Sequence, residues 1–309
     1  MKHPCVVLIA GPTASGKSAL ALSLAEHIGR AVIINADSMQ VYSDLRILTA
    51  RPSVEDEARA PHRLFGHVPG TRAYSVAAFI SDCRLALDEA RAANAVAIIA
   101  GGTGLYFKAL LEGLSPIPPI PDEVRQHCRS EAGRVGSVEL HAALAAIDPV
   151  MAIRLLPTDT QRITRALEVM LATGKSLSAW QQVPGVPLIE PSQIARFVLM
   201  PERETMMARC DARFDAMIQD NVLEEVARLR DLKFGDHLPG MRVLGLRLLI
   251  DHIEGRLPLD EAVIRAKAET RQFAKRQVTW LRRHMISWTA FSTHDSERNL
   301  GQIIALIDL

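Results

Sequence analysis

The stretch Gly11-Pro12-Thr13-Ala14-Ser15-Gly16-Lys17-Ser18 constrains this chain more than any other. It fits the pattern G-x-x-x-x-G-K-[ST]. The apolar run from Cys5 to Ala10 precedes it, and Leu20, Leu22, Leu24, Ala25 and Ile28 follow at helical spacing. Strand, glycine loop and helix together form a phosphate cradle, because the loop amides point inward and the helix N-terminus adds partial positive charge. Lys17 supplies a mobile cation and Ser18 a hydroxyl for Mg²⁺. The pattern predicts a grip on a di- or triphosphate. It does not say which one, or what is done to it.

Further strand patterns lie at 31–37, 95–100 and 195–200, separated by helical patterns at about 75–93 and 105–111. Alternating strands and helices imply a parallel, right-handed α/β sheet. The second strand pattern ends on Asp37, followed by Ser38, Met39 and Gln40. Ligands of open α/β sheets sit outside the carboxyl ends of strands, so Asp37 is placed near whatever the glycine loop holds. A helix N-cap, a metal ligand and a general base all remain open for it. The third strand pattern runs into Gly101-Gly102-Thr103-Gly104, a second glycine turn at a carboxyl end. Prolines at 116, 118, 119 and 121 mark a break, and residues from about 122 to 180 are helical in pattern throughout. Asp122 is placed to cap the first of these helices, with Arg125 early in it. Arg162 and Arg165 share one helix face. A second break at 184–192 precedes the fourth strand pattern. The next helix carries Arg209 and Arg213, i, i+4 neighbours able to meet one anion.

The last long helical pattern, about 259–284, holds Arg265, Lys267, Arg271, Lys275, Arg276, Arg282 and Arg283 between positions 265 and 283, against the single acid Glu269, with Trp280 among them. A cationic helix with an embedded aromatic reads as a nucleic-acid backbone surface. Net charge is only +1, so the distribution carries this reading rather than the total. No apolar run approaches the roughly 18 residues of a membrane span, and Met1 to Pro4 lead directly into a strand pattern, which predicts no signal peptide. Four scattered cysteines without a C-x-x-C pair argue against a zinc site and a disulfide scaffold, and for the cytoplasm.

Six motifs occur in order: Gly11–Ser18, Ile34–Tyr42, Tyr74–Ala77, Gly101–Tyr106, Arg162–Val169 and Ala274–Trp280. Together they make the chain resemble, over essentially its whole length, the bacterial tRNA dimethylallyltransferases, the IPP transferase family. The resemblance implies a P-loop NTPase-like parallel sheet core flanked by helices, formed by residues 1–115 and 192–309. It also implies an all-helical insertion at 116–191 that grips the tRNA anticodon stem-loop.

It further implies a reaction: transfer of a dimethylallyl group from dimethylallyl diphosphate to N6 of the adenosine 3′ to the anticodon, in tRNAs reading codons that begin with U. Gly11, Pro12, Thr13, Ala14, Ser15, Gly16, Lys17 and Ser18 would hold the diphosphate, with Mg²⁺ near Ser18. Asp37 would be the general base, and Arg213 and Lys17 would neutralise the leaving group. Asp37, Ser38, Met39, Gln40, Gly101, Thr103, Arg125, Gln161, Arg162, Ile163, Thr164, Arg165, Arg242, Arg247, Lys275 and Arg276 would meet tRNA. A monomer is expected, because tRNA already supplies a large partner surface. The chain departs from the family pattern at Ser18 (Thr is usual), Arg51 (Lys), Leu246 (Tyr) and residues 220–223 (a Ser-Gly-Phe turn). The last two put local tRNA contacts in question. The competing expectations are a small-molecule P-loop kinase with Asp37 on the metal, prenyl transfer to free AMP, and a non-catalytic RNA-binding regulator.

Overall fold

The computed structural model describes residues 6–235, 238–292 and 295–307. Cys5 and the four residues before it therefore lie outside the described part. One compact unit runs to Leu111 and resumes at Leu188, and a second is formed by Glu112–Pro187.

The first unit is built on six strands: β1 (Val6–Ala10), β2 (Ala31–Asn35), β3 (His62–Arg63), β4 (Val96–Gly101), β5 (Ile194–Leu199) and β6 (Thr289–Phe291). They pair in the order β3-β2-β4-β1-β5-β6, every pair parallel. Its helices are α1 (Lys17–Ile28), α2 (Val54–Arg59), α3 (Val76–Ala92) and α4 (Gly104–Glu112) before the insertion, whose own helices are α5 (Asp122–Val135), α6 (Ser137–Ile147), α7 (Pro149–Ile153), α8 (Thr160–Thr173) and α9 (Leu177–Gln181). After it come α10 (Arg203–Gln219), α11 (Val222–Asp231), α12 (Leu246–Ile253), α13 (Leu259–His284) and α14 (Ser296–Ile307).

Strand periodicity explains why the sheet is covered on both faces. Val6, Leu8 and Ala10 of β1, with Ala97 and Ile99 of β4, point into one apolar layer against α3 and α4. Val7 and Ile9, with Ile98 and Ala100, point into the other, against α1 and α14. Successive strand side chains alternate between faces, so a continuous apolar run is what a doubly covered parallel strand needs. Phe79 of α3 stacks on Tyr106 of α4 with ring centroids 3.9 Å apart. A third core joins α10 to α13 through Phe214, Val226, Leu249 and Ala266. The insertion has a core of its own, including Leu140, Leu144, Ile163 and Val169.

Two strands and three helices lie outside the sequence expectations: β3, β6, α11, α12 and α14. β3 and β6 span two and three residues, too few to show a period. Leu300, Ile303, Ile304 and Ile307 of α14 do follow a helical spacing that the charge asymmetry of α13 overshadowed.

Gly101 is where the sheet makes room for a second chain segment. A Cβ there would lie 2.1 Å from the carbonyl carbon and oxygen of Ala36. That approach lets Ala36 N–H donate to Ala100 O at 2.8 Å and Thr103 N–H donate to Ala36 O at 3.1 Å. Gly101→Ala is expected to lower unfolding free energy by at least about 1–3 kcal/mol, because backbone must move to admit the methyl group. Urea denaturation of the variant measures it.

Candidate active site at the carboxyl edge of the sheet

The loop after β1 and the start of α1 form the cradle. Gly16 has φ 89° and Ala14 φ 60°, both left-handed. Glycine takes that conformation without strain, and the reversal brings Ser15 N–H to Pro12 O at 3.3 Å. Lys17 folds back so that its Nζ donates to Pro12 O at 3.2 Å. Ser15 Oγ is buried and no described residue partners it. A buried hydroxyl without a partner favours a ligand atom in its place.

Two cations border the loop. Arg213 of α10 donates from Nη2 to Thr13 Oγ1 at 2.6 Å. Arg209, one turn earlier, brings Nη1 to 3.7 Å from where a Cβ on Gly16 would stand. Lys17 is half-buried as a residue, and burial of its ammonium group lowers its pKa to about 8, while Asp37 acts to raise it and Arg213 to lower it further. Burial also lowers the Arg213 pKa, with Cys210 and Asp37 opposing. Buried cations beside the loop favour an anion there, since charges attract more strongly out of water.

Asp37 lies one residue beyond Ala36, past the end of β2. Its Oδ1 accepts the Met39 N–H at 2.9 Å. Residues 38–45 form turns rather than a helix, so this is an Asx-type turn and not the helix N-cap that the sequence left open. Among the described residues no donor reaches Oδ2, which lies 3.5 Å from where a Cβ on Gly102 would stand. Asn35 fixes the segment from below. Its Oδ1 accepts the Asp37 N–H at 2.8 Å, and its Nδ2 donates to Asp37 O at 2.9 Å and Leu64 O at 3.0 Å. Thr103 joins the two turns, its Oγ1 accepting Ser38 N–H at 2.9 Å.

A further bridge comes from α13. Gln277 is 8% exposed. Its Oε1 accepts the Thr13 N–H at 2.8 Å, and its Nε2 donates to Gly102 O at 2.9 Å. Among the described residues no three His, Cys, Asp or Glu side chains gather in a way that would hold a metal ion.

Residues 40–284 match the model of the IPP transferase family, and residues 4–66 that of isopentenyl transferases. The chain belongs to the IPP transferase family. The tRNA dimethylallyltransferase of Parvibaculum lavamentivorans is 50% identical over 98% of this chain and 95% of its own length. That of Nitrobacter hamburgensis is 49% identical over 96% and 94%. Among solved structures, the tRNA isopentenylpyrophosphate transferase of Bacillus halodurans is 28% identical with a TM-score of 0.70, covering 98% of this chain and 95% of that one. A eukaryotic dimethylallyltransferase acting on tRNA gives a TM-score of 0.80 at 26% identity, covering 96% and 77%.

Within this IPP transferase, the other predicted contact residues fall into two groups. Arg242, Arg247 and Arg276 meet at one groove of about 350 Å³, with Glu269 and Gln272 on its wall. Arg247 lies 3.6 Å from Asp251. Lys275 is exposed on the same helix. In the insertion, Gln161 and Arg162 are exposed and Arg165 half-buried, paired with Glu168 at 3.0 Å. Arg125 lies 3.8 Å from Asp122.

Three of the expected contact segments are engaged within the fold itself. Ile163 is wholly buried in the insertion core and Thr164 nearly so, its hydroxyl donating to Thr160 O. Both side chains face that core, whereas Gln161 and Arg162 are exposed and Arg165 is half-buried. The Gln40 amide donates to Thr49 O and Ala50 O at 2.9 and 2.7 Å, pinning a turn. The basic face of α13 is also narrower than its composition suggests. Arg265 pairs with Glu261, Lys267 with Asp215 and Arg271 with Asp211, which leaves Lys275, Arg276, Arg282 and Arg283 exposed.

Sequence reasoning missed Asn35 and Gln277 as site residues. Both carried a signal. Asn35 is a polar residue ending a buried strand. Gln277 falls on the helical stripe of Ala262, Ala266, Thr270, Ala274 and Leu281, all buried, where a polar side chain needs partners.

Lys17 gives this site a pH signature. An anion beside it raises its pKa, so above about pH 8 binding must draw in a proton, and affinity falls as pH rises. Calorimetry of dimethylallyl diphosphate at pH 8.5, in buffers of different ionisation enthalpy, is expected to show proton uptake that Lys17→Met abolishes.

Proposed function

We propose that this chain transfers a dimethylallyl group from dimethylallyl diphosphate to N6 of the adenosine 3′ to the anticodon of tRNA, releasing diphosphate. The observation that carries the reading is the carboxylate of Asp37 at the same carboxyl edge of the sheet as a phosphate loop that holds Lys17 and is met by Arg213. A small-molecule kinase is not favoured, since the relatives that match along nearly the whole chain are tRNA dimethylallyltransferases.

The chemistry accounts for the residue types. An exocyclic adenine amine is a weak nucleophile, so the electrophile has to be activated at its leaving group. Lys17, Arg213 and the amides of residues 14–18 neutralise charge that develops on the diphosphate as the carbon–oxygen bond breaks. N6 attacks the allylic carbon, forms the new carbon–nitrogen bond and gives up one proton, which Asp37 Oδ2 accepts. Asp37 is held for this by Asn35 and by the Met39 amide. The target base has to leave its stack, which is less costly in a single-stranded loop.

Mg²⁺ fits this donor set as a hard cation on oxygen: Ser18 Oγ would hold it together with diphosphate oxygens and water, with no acidic cluster required. When bound it supplies further charge neutralisation at the leaving group. The basic groove of Arg242, Arg247 and Arg276 and the exposed Gln161, Arg162 and Arg165 would meet RNA phosphates. We place the reaction in the cytoplasm, with the protein acting as a monomer. Among the described residues no helix is long and apolar enough to cross a membrane, and Cys83, Cys128 and Cys210 are free thiols.

Incubation of the protein with Mg²⁺, dimethylallyl diphosphate and unmodified tRNA is expected to give a prenyl mass shift on adenosine, read by nucleoside mass spectrometry. Unshifted adenosine from folded, tRNA-bound protein would sink the reading. Asp37→Ala is expected to lower kcat by about 10²–10⁴-fold with tRNA affinity little changed; near-normal turnover removes Asp37 from the mechanism. Arg213→Ala is expected to slow turnover most at subsaturating prenyl donor, in a kcat/KM comparison against wild type.

A further inference from the structure

We propose that Gln277 is a positioning residue for this reaction, setting the distance between the loop that holds the leaving group and the turn that faces the base. The inference rests on the prenyl-transfer reading above. Gln277 touches neither of the proposed reacting groups, and it acts through two backbone atoms.

The geometry is specific. Gln277 Oε1 takes the Thr13 N–H at 2.8 Å, and Nε2 reaches Gly102 O at 2.9 Å. One amide side chain thus links the loop after β1 to the turn after β4, the two segments that carry the cradle and flank Asp37. A Cβ on Gly102 would stand 2.4 Å from Gln277 Nε2, 3.3 Å from Gly11 O and 3.5 Å from Asp37 Oδ2. The absence of a side chain at 102 is therefore what lets the bridge form, and the same point in space borders the base.

Thr13 is held from two directions. Gln277 of α13 takes its amide, and Arg213 of α10 donates to its hydroxyl. Helices α10 and α13 are themselves tied by the pairs Arg271–Asp211 and Lys267–Asp215. The corner of the loop is thereby referenced to a rigid helix pair rather than to its ligand.

Displacement transfer needs the attacking nitrogen, the carbon and the leaving oxygen aligned. A misplacement of about 1 Å can cost on the order of 10²-fold in rate. Gln277 also stands on the same helix as the exposed Lys275 and Arg276. The residue that fixes the two loops thus shares its helix with residues of the proposed RNA face.

The test uses two routes to the same break. Gln277→Met keeps the side chain's length and removes both hydrogen bonds. Gly102→Ala leaves Gln277 in place and displaces its amide. Each is expected to lower kcat by about 10- to 100-fold while KM for tRNA stays within about twofold. Because both break one bridge, the double variant is expected to lose little more than the worse single variant. Thermal denaturation monitors folding, and if one variant does not fold the other carries the measurement.

The proposal is overturned if a folded variant turns over at close to the wild-type rate. It is equally overturned if kcat, tRNA KM and Tm all deteriorate together, or if the two losses multiply in the double variant. Absence of prenylated adenosine with the wild-type protein would instead defeat the reading on which the proposal stands, so the two failures are distinguishable.

Discussion

Lys17 and Arg213 both reach the loop after β1, both with pKa values lowered by burial, and Asp37 is the carboxylate that offsets them. Removing cations from water is unfavourable, and an opposing charge recovers only part of that. A lysine held near pKa 8 lowers the stability of the folded state while it is charged. The penalty is present below about pH 8 and lifts as pH climbs toward the ordinary value of 10.5. A chain keeps such an arrangement when the missing countercharge arrives with the ligand. The rest of the first unit can be understood as what holds the cations in place while no anion is there.

The sheet does most of this. Because β1, β2 and β4 are parallel neighbours, their carboxyl ends open on the same side. The cradle, Asp37 and the Gly102 turn come together there without any long loop. Apolar burial on both faces makes these strands rigid. Polar staples then set the finer positions: Asn35 under Asp37, Thr103 against Ser38, Gln277 between Thr13 and Gly102. Each staple binds at least one backbone atom, and Thr103 also donates to Ser38 Oγ at 3.3 Å, so each constrains the path of a loop.

The sheet core, the helical insertion and the last long helix were legible in the sequence because each has a period. Alternating strands with glycine loops leave few topologies, and α13 was bounded at 259–284 by pattern alone. What could not be read was pairing across the fold. Charge counting saw seven cations on α13, but three of them meet acids, two on α10 and one on α13 itself. Ile163 and Thr164 sit in a motif between the exposed Arg162 and the half-buried Arg165, yet helical geometry turns them inward. A motif marks a segment, and only the helix's rotation decides which of its side chains reaches a ligand.

The two departures that seemed to threaten RNA contact have local explanations. Leu246 is fully buried among Phe214, Leu249 and Ala266. In this chain the position belongs to the core joining α10 to α13, where an apolar side chain of that size packs without a hydroxyl to satisfy. Asp220 and Asn221, the latter at φ 61°, form the turn between α10 and α11, and the wholly buried Val222, followed by Leu223, opens α11. Asparagine tolerates the left-handed conformation better than other residues with a side chain. It can therefore stand where a glycine turn is usual and still hand the chain to α11. Val222 then anchors the start of that helix in the same core as Phe214. Leu246 and Val222 thus pack into the one core that joins Phe214 of α10 to Ala266 of α13, the helix pair that references the Thr13 corner.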